Sequence, residues 1–245
     1  MVAMPNSLQR FVRLSRLLRD RAGRRFAMDG LQGAYFRQMQ TRASIPTVPV
    51  TDIIQPDSLD VKIRYFPWKN GNVSYSELLY LCMIVKTFLK PGQNFLEIGT
   101  FNGASVFNIA SCVPDGSICY TIDLPPDTRV LDTPHLPGDL NFIRSPDRAG
   151  KVHLGLANVR QIYSDSMKFD YSSIKFNGAF IDGGHLYDVV KSDTANVLKH
   201  IGRPGFVIWH DFYGINDIVT ALSELSGSYK LLHIENTNIC VTRLD

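Results

Sequence analysis

Two short stretches of the chain combine carboxylate and imidazole side chains in a way that suits proton transfer or metal binding. Asp182 is followed, after two glycines, by His185, and His210 immediately precedes Asp211. Each pair comes after a run of apolar residues that is typical of a buried strand. An imidazole takes up a proton near neutral pH, and carboxylates with imidazoles hold divalent cations. We predict that Asp182, His185, His210 and Asp211 are catalytic residues that activate a hydroxyl group for attack.

A third stretch, residues 94–105, has the composition of a ligand cradle. Glu97 is the single charge of a predicted buried strand, Gly99 ends that strand, and Gly103 opens a helical pattern. Glycines let a ligand approach the main chain, and free N–H groups at a helix start attract negative groups. With its acidic side chain, this cradle suits S-adenosylmethionine, which carries a sulfonium, an ammonium, a carboxylate and a ribose. Asp123, 20 residues beyond Gly103, can accept hydrogen bonds from the ribose hydroxyls.

Two other interpretations of this stretch stay open. It fits an ordinary strand-to-helix turn of any α/β protein. A dinucleotide site is a weaker alternative, because its fingerprint is Gly-x-Gly-x-x-Gly. Here the spacing is Gly99-x-x-x-Gly103, and Phe101 stands where the fingerprint requires a glycine.

Alternating strand and helix patterns position these residues. Predicted strands cover 95–98, 117–123, 159–163, 177–182, 205–210, 229–235 and 239–243, and predicted helices cover 74–90, 103–112, 187–200 and 215–225. They indicate an α/β fold with a doubly wound, mostly parallel seven-stranded sheet and a C-terminal antiparallel hairpin. Ligands of such sheets bind beyond the carboxyl ends of the strands. The polar residues named above lie at those ends, and the long connection 125–151 is interpreted as acceptor-side structure.

Three strings resemble the motifs of a known family: LEIGTFNGAS at 96–105, FIDGGHLYDVVKSD at 180–193 and PGFVIWHDF at 204–212. The first resembles the opening motif of class I S-adenosylmethionine-dependent methyltransferases, which have a Rossmann-like fold. The set is most similar to methyltransferase family 24, which is related to macrocin-type sugar O-methyltransferases and cephalosporin-hydroxylase-like proteins. The resemblance covers 74–245. It implies an O-methyltransferase acting on a hydroxyl of a small molecule, with a sugar or glycosylated natural product as the first candidate.

The resemblance also implies which residues bind S-adenosylmethionine. It places Asp165 and Ser166 beside the adenine, where an acidic side chain can accept a hydrogen bond from the exocyclic amino group. The full predicted set is Glu97, Gly99, Thr100, Phe101, Gly103, Ser105, Asp123, Leu124, Asp165, Ser166 and Asp182.

A metal site follows from the same resemblance. Relatives of the catechol and caffeoyl-CoA types hold a divalent metal with aspartates at the positions of Asp182 and Asp211 and an asparagine after the second. Here Phe212 stands at the asparagine position, and His210 is available as a third ligand. The predicted metal ligands are therefore Asp182, His210 and Asp211, for Mg²⁺ or Mn²⁺. Without a metal, His185 or His210 is the expected general base.

The N-terminal part of the chain differs in charge from the rest. The net charge is +3, but residues 1–42 hold nine arginines and two aspartates. Apolar residues at helical spacing predict a basic amphipathic helical extension over 1–45. This extension can pack on the domain or on a second subunit, forming a homo-oligomer, or contact an anionic membrane surface. An irregular linker or lid is predicted over 46–73, and the methyltransferase domain over 74–245.

The composition limits the classes of protein to which the chain can belong. Hydrophobic residues make up 44% and charged residues 20% of the chain, as in ordinary globular domains. No apolar run reaches the roughly 18 residues of a membrane span, and no signal-peptide pattern is present. We expect a cytoplasmic protein whose partner is a small-molecule acceptor and not a nucleic acid. A non-catalytic nucleotide-binding module and a cephalosporin-hydroxylase-like enzyme stay open as alternatives.

Overall fold

The computed structural model describes residues 45–55, 59–66, 73–129, 134, 135, 139, 142, 145 and 155–245. The α-helices in this part of the chain are α1 (Tyr75–Phe88), α2 (Ala104–Ala110), α3 (Tyr187–His200) and α4 (Asn216–Leu225). Its strands are β1 (Thr47–Val48), β2 (Phe95–Ile98), β3 (Cys119–Asp123), β4 (Val159–Tyr163), β5 (Gly178–Ile181), β6 (Gly205–Trp209), β7 (Leu232–Ile234) and β8 (Cys240–Leu244). The predicted extension over 1–45 lies outside the described residues except for Ile45.

The strands form one sheet in the order β1-β7-β8-β6-β5-β2-β3-β4. From β6 to β4 all neighbours are parallel, whereas β8 is antiparallel to both β6 and β7. The predicted fold class, a mostly parallel α/β sheet with a C-terminal antiparallel hairpin, is confirmed. The sheet has eight strands in the described residues, one more than the seven predicted.

Strand β1 is the element that the sequence did not predict. Thr47 and Val48 pair in parallel with β7, inside the segment 46–73 that was predicted to be irregular. Main-chain hydrogen bonds from His233 N to Pro46 O and from Glu235 N to Val48 O complete the pairing. A two-residue strand shows no periodicity, so only its pairing with a distant part of the chain defines it. The lid interpretation of the rest of this segment stays a prediction.

The central strands are apolar because both of their faces are covered. Every residue of β2 and β5 is buried, and so are four of the five residues of β6. This pattern is the one expected of parallel strands with helices on both sides. Strands β2 and β4 and helix α3 have the predicted bounds, and the other predicted elements begin and end within three residues of the observed ones. Among the described residues, no helix combines the length and apolarity needed to cross a membrane.

The strand order changes direction beside β2. The chain runs from β2 outward to β3 and β4, and then crosses to β5 on the other side of β2. In sheets of this kind, ligands bind in the crevice at such a switch point. Here the backbones at Gly99 and Asp182 are so close that a Cβ added to Gly99 would lie 2.0 Å from Asp182 O. The glycine is therefore required by the neighbouring strand end as well as by the turn.

We predict that Gly99→Ala destabilises the protein by about 4 kcal/mol, because the added Cβ overlaps the Asp182 carbonyl at an unfavourable φ of 98°. Gly116→Ala is the matched control. Its φ of 82° is similar, but nothing lies within 4 Å of the added Cβ, so a loss of about 1–2 kcal/mol is expected. Urea unfolding of both variants measures the difference. Equal losses would contradict the close approach of the two strand ends.

Candidate active site

The loop after β2 has an unusual backbone that Asp123 holds in place. Gly99, Phe101 and Gly103 all have positive φ angles, of 98°, 46° and 83°. This conformation is easy for glycine but strained for phenylalanine. Asp123, at the end of β3, accepts a hydrogen bond from Phe101 N at 2.8 Å and another from Leu124 N at 2.7 Å. The predicted ribose-binding carboxylate thus also shapes the predicted cofactor loop.

Glu97 has a fully buried carboxyl group at the centre of the sheet. It lies beside Thr121 of β3, which in turn lies beside Gln161 of β4. Thr121 Oγ1 donates a hydrogen bond to Glu97 Oε2, and the Thr100 hydroxyl connects Thr121 with Gln161. Burial raises the pKa of Glu97 to about 8. Glu97 Oε1 has no hydrogen bond of normal geometry within the described part of the chain, although hydrogen bonding by the Ser105 hydroxyl opposes the rise in the pKa of Glu97.

The other predicted cofactor residues are placed around the same rim. Asp165, after β4, accepts a hydrogen bond from Met167 N and pairs with Lys168 at 2.9 Å. Ser166 O accepts a hydrogen bond from the Tyr171 hydroxyl. Ser105 lies partly exposed in the first turn of α2. Thr100 differs from these residues, because its hydroxyl is buried in the Glu97 network.

His185 is held between two carboxylates. Its Nδ1 forms a short hydrogen bond with Asp139 Oδ1, and its Nε2 lies 3.0 Å from Asp211 Oδ2. Burial alone would lower the pKa of His185, but the hydrogen bonds and charges of the two carboxylates raise the pKa to about 10. His185 therefore carries a proton on both ring nitrogens at neutral pH.

His210 also lies among carboxylates. Its Nδ1 is 3.2 Å from Asp182 Oδ1 and 3.5 Å from Asp211 Oδ1, and its Nε2 is 3.4 Å from Glu77 Oε2. Burial alone would lower the pKa of His210, but the three negative charges raise the pKa well above its ordinary value. Burial would likewise raise the pKa of Glu77, but the charge of His210 lowers that pKa to about 2.

Asp182 and Asp211 respond differently to this environment. Burial raises the pKa of Asp182 above its ordinary value, although His210 opposes the shift. Burial would do the same to Asp211, but the charge of His210 and the hydrogen bond from His185 hold the pKa of Asp211 far below its ordinary value. Their side chains are 20% and 27% exposed, more than those of the two histidines. The carboxylates, and not the imidazoles, are thus the groups most open to a ligand.

Comparisons with known proteins agree with this geometry. Residues 96–212 match the family model of methyltransferase family 24, described as a methyltransferase domain. This range holds the loop after β2, Asp123 and the whole of the Asp182–Asp211 region. Residues 96–212 therefore form a methyltransferase domain that matches family 24. The prediction of a class I S-adenosylmethionine-dependent methyltransferase is confirmed.

Solved structures show the same fold. The O-methyltransferase TomG from Streptomyces achromogenes, in complex with S-adenosylmethionine, has a TM-score of 0.50 at 14% identity, over 71% of this chain and 82% of TomG. A putative O-methyltransferase from Klebsiella pneumoniae has a TM-score of 0.51 at 13% identity, over 72% and 83% of the two chains. The calicheamicin methyltransferase CalS11 has a TM-score of 0.52 at 11% identity, over 69% and 78%. No curated protein matches the sequence.

The methyltransferase domain contains one group of three side chains, among the described residues, that is arranged to share a metal ion. It consists of Asp182, His185 and Asp211, whose ligand atoms all lie within 4.8 Å of one another. The group contains His185 in place of His210, the predicted third ligand. His210 Nδ1 instead contacts Asp182 and Asp211, and its Nε2 faces Glu77. Phe212, at the position of the relatives' asparagine, is fully buried against Tyr213 and offers no ligand atom.

Two residues of the methyltransferase site were not predicted from the sequence. Asp139, which contacts His185, lies in the connection 125–151, which was expected on the acceptor side but carries no motif. Glu77 was recognisable only as part of a capping box, in which Ser74 N donates to its carboxylate and Ser74 Oγ accepts from its backbone N–H. Neither residue has a local signal for its contact with a histidine far away in the sequence.

We predict that Glu97→Gln stabilises the apo protein at about pH 8 by about 1–3 kcal/mol and leaves its stability near pH 4 unchanged. A carboxyl whose pKa rises to about 8 on folding contributes stability that is present below its ordinary value of 4.5 and is lost as the pH rises through 8. Glutamine removes this loss. Urea unfolding at several pH values measures the effect, with Glu224→Gln as the exposed control. If the free energy of unfolding of the variant changed with pH in the same way as that of the native protein, the raised pKa of Glu97 would be contradicted.

Proposed function

We propose that this methyltransferase transfers the methyl group of S-adenosylmethionine to a hydroxyl group of a small molecule. The observation that carries the proposal is the carboxylate–imidazole cluster at the ends of β5 and β6, directly beside the cofactor loop. The close approach of Gly99 and Asp182 puts the cluster and the loop in backbone contact. A hydroxyl is a poor nucleophile until its proton is removed, and this cluster contains carboxylates that can accept that proton.

In this proposal Asp182 accepts the proton of the acceptor hydroxyl. Its side chain is partly exposed at the rim, and its raised pKa makes it a better base than an ordinary aspartate. His185 and His210 keep their own protons at neutral pH, so they are less suited to the role of base that the sequence suggested for them. They stabilise the ionised Asp211 and hold the two carboxylates in place. Most of the remaining rate acceleration comes from aligning the acceptor oxygen with the methyl carbon and sulfur.

A sugar or a glycosylated natural product is the first acceptor class to test. This choice rests on the resemblance of the sequence motifs to macrocin-type sugar O-methyltransferases. TomG is described as involved in tomaymycin synthesis and CalS11 as a calicheamicin methyltransferase, but their likeness to this chain is one of fold.

A divalent metal, Mg²⁺ or Mn²⁺, held by Asp182, His185 and Asp211 would be an alternative to proton transfer to Asp182. Two carboxylates and an imidazole form a suitable donor set, and their ligand atoms are already grouped. A metal bound there would act as a Lewis acid that lowers the pKa of the acceptor hydroxyl. His185 would have to give up its proton to take part, since a protonated imidazole has no lone pair for a ligand bond.

We predict that the protein methylates a hydroxyl in a panel of sugars, glycosides and catechols with S-adenosylmethionine as donor, and that Asp182→Asn lowers kcat by about 100- to 10,000-fold. Radiolabelled methyl transfer and product mass spectrometry measure both effects. Asp188→Asn, on an exposed position of α3, is the matched control and should keep full activity. Products methylated on nitrogen, or oxidised products, would contradict O-methyl transfer. An Asp182→Asn variant with native kcat would contradict the role of Asp182 as the base but not O-methyl transfer itself.

We predict that the protein binds Mn²⁺ and that Asp211→Asn weakens this binding at least about tenfold. Isothermal titration of chelator-treated protein with Mn²⁺ measures the affinity, and activity before and after chelation shows whether the metal takes part in transfer. Glu224→Asn is a remote carboxylate control that should bind Mn²⁺ normally. No Mn²⁺ binding together with full activity after chelation would rule out the metal and leave O-methyl transfer intact.

A further inference from the structure

Glu77 has a carboxylate that is buried more deeply than the cap of a helix requires. It lies in the first turn of α1 and is 3% exposed. A capping-box glutamate functions equally well at the surface, where its charge stays hydrated. Burying a charge is costly unless it is paired and hydrogen-bonded. Glu77 meets this condition through contacts that reach beyond its own helix.

The first of these contacts is with His210. Glu77 Oε2 lies 3.4 Å from His210 Nε2, on the side of the ring opposite to Asp182 and Asp211. Within the described residues, His210 Nε2 has no hydrogen bond of normal geometry, so Glu77 acts on the ring through its charge. The imidazole thus has negative charge on both sides. A ring flip would replace a nitrogen by a carbon at each of them.

The second contact is with the turn between β7 and β8. Glu77 Oε1 accepts a hydrogen bond from Asn238 N at 2.6 Å, and Asn238 O accepts one from Phe212 N at 3.1 Å. Phe212 directly follows Asp211, whose φ of 55° is strained for a residue other than glycine. Such strain persists only where the surroundings hold it. Glu77 therefore supports the backbone beside Asp211 and the side chain of His210 at once.

We propose that Glu77 is a positioning residue of the methyl-transfer site, which holds the His210 ring and the strand end at Asp211 in the orientation required for reaction. The proposal rests on the proposed function, because it assigns His210 and Asp211 to that site. Glu77 lies behind His210 and does not face the rim. Its loss therefore changes the alignment of the reactive groups without removing one of them.

Glu77→Gln tests this role. Glutamine has the same shape and can still accept the hydrogen bond from Asn238 N through its single oxygen. Its NH2 group then stands in place of Oε2, so the variant loses the charge opposite His210 and the capping hydrogen bond from Ser74 N. We expect kcat to fall about ten- to a hundredfold, since small misplacements of reactive groups have costs of this order. The Kd for S-adenosylmethionine should change less than threefold, because the cofactor loop lies at β2 and β3. Crystal structures of the full-length native and variant proteins should show the His210 ring moved away from Asp182.

Ser74→Ala is the matched control for a merely structural effect. It removes the side-chain cap of the same helix turn but keeps the backbone N–H that Glu77 accepts from. It should lower Tm and leave kcat and the His210 ring unchanged. An unmoved His210 ring in Glu77→Gln overturns the proposal, and so does a moved ring with native kcat. If the native protein methylates no hydroxyl, the proposed function fails, and the crystal structures still decide whether Glu77 positions the ring.

Discussion

The structure of this methyltransferase depends on one electrostatic constraint at the rim of its sheet. Glu77, Asp182 and Asp211 surround His210, and Asp211 shares His185 with Asp139. None of these charges is well hydrated, so each is stable only while its neighbours carry the opposite sign. Removing one partner leaves an uncompensated charge in a poorly solvated site. The cap of α1, the ends of β5 and β6 and the last hairpin are therefore tied together by their side chains.

The same rim joins the carboxylate–imidazole cluster to the predicted cofactor loop. The carbonyl of Asp182 fills the space that a side chain at position 99 would need, so the loop can follow β2 only with glycine there. Asp123 then holds the strained backbone of Phe101 from the other side. The crevice is therefore bounded by a preformed loop on one side and by carboxylates on the other. Such preorganisation is what an in-line methyl transfer demands of a protein.

Much of this arrangement follows from local sequence pattern. Apolar runs predicted the bounds of β2, β4 and α3 and placed Glu97, Asp123, Asp182 and Asp211 at strand ends. The contacts between distant segments were not predictable in this way. Strand β1 exists only through its pairing with β7, and neither Asp139 nor Glu77 has a neighbour in sequence that indicates its histidine partner. The histidines were expected to titrate near neutral pH, because their reference value ignores the carboxylates that folding brings to them.

The protonation of the two histidine rings tests this account most directly. Proton–nitrogen correlation spectra of the imidazole rings, recorded on chelator-treated protein between about pH 6 and pH 9, report the state of each ring nitrogen. His185 should keep both ring protons through about pH 8, and the pKa of His210 should lie well above its ordinary value, because the surrounding carboxylates raise both. Loss of a proton from either ring near the ordinary value of about 6.5 would contradict this account.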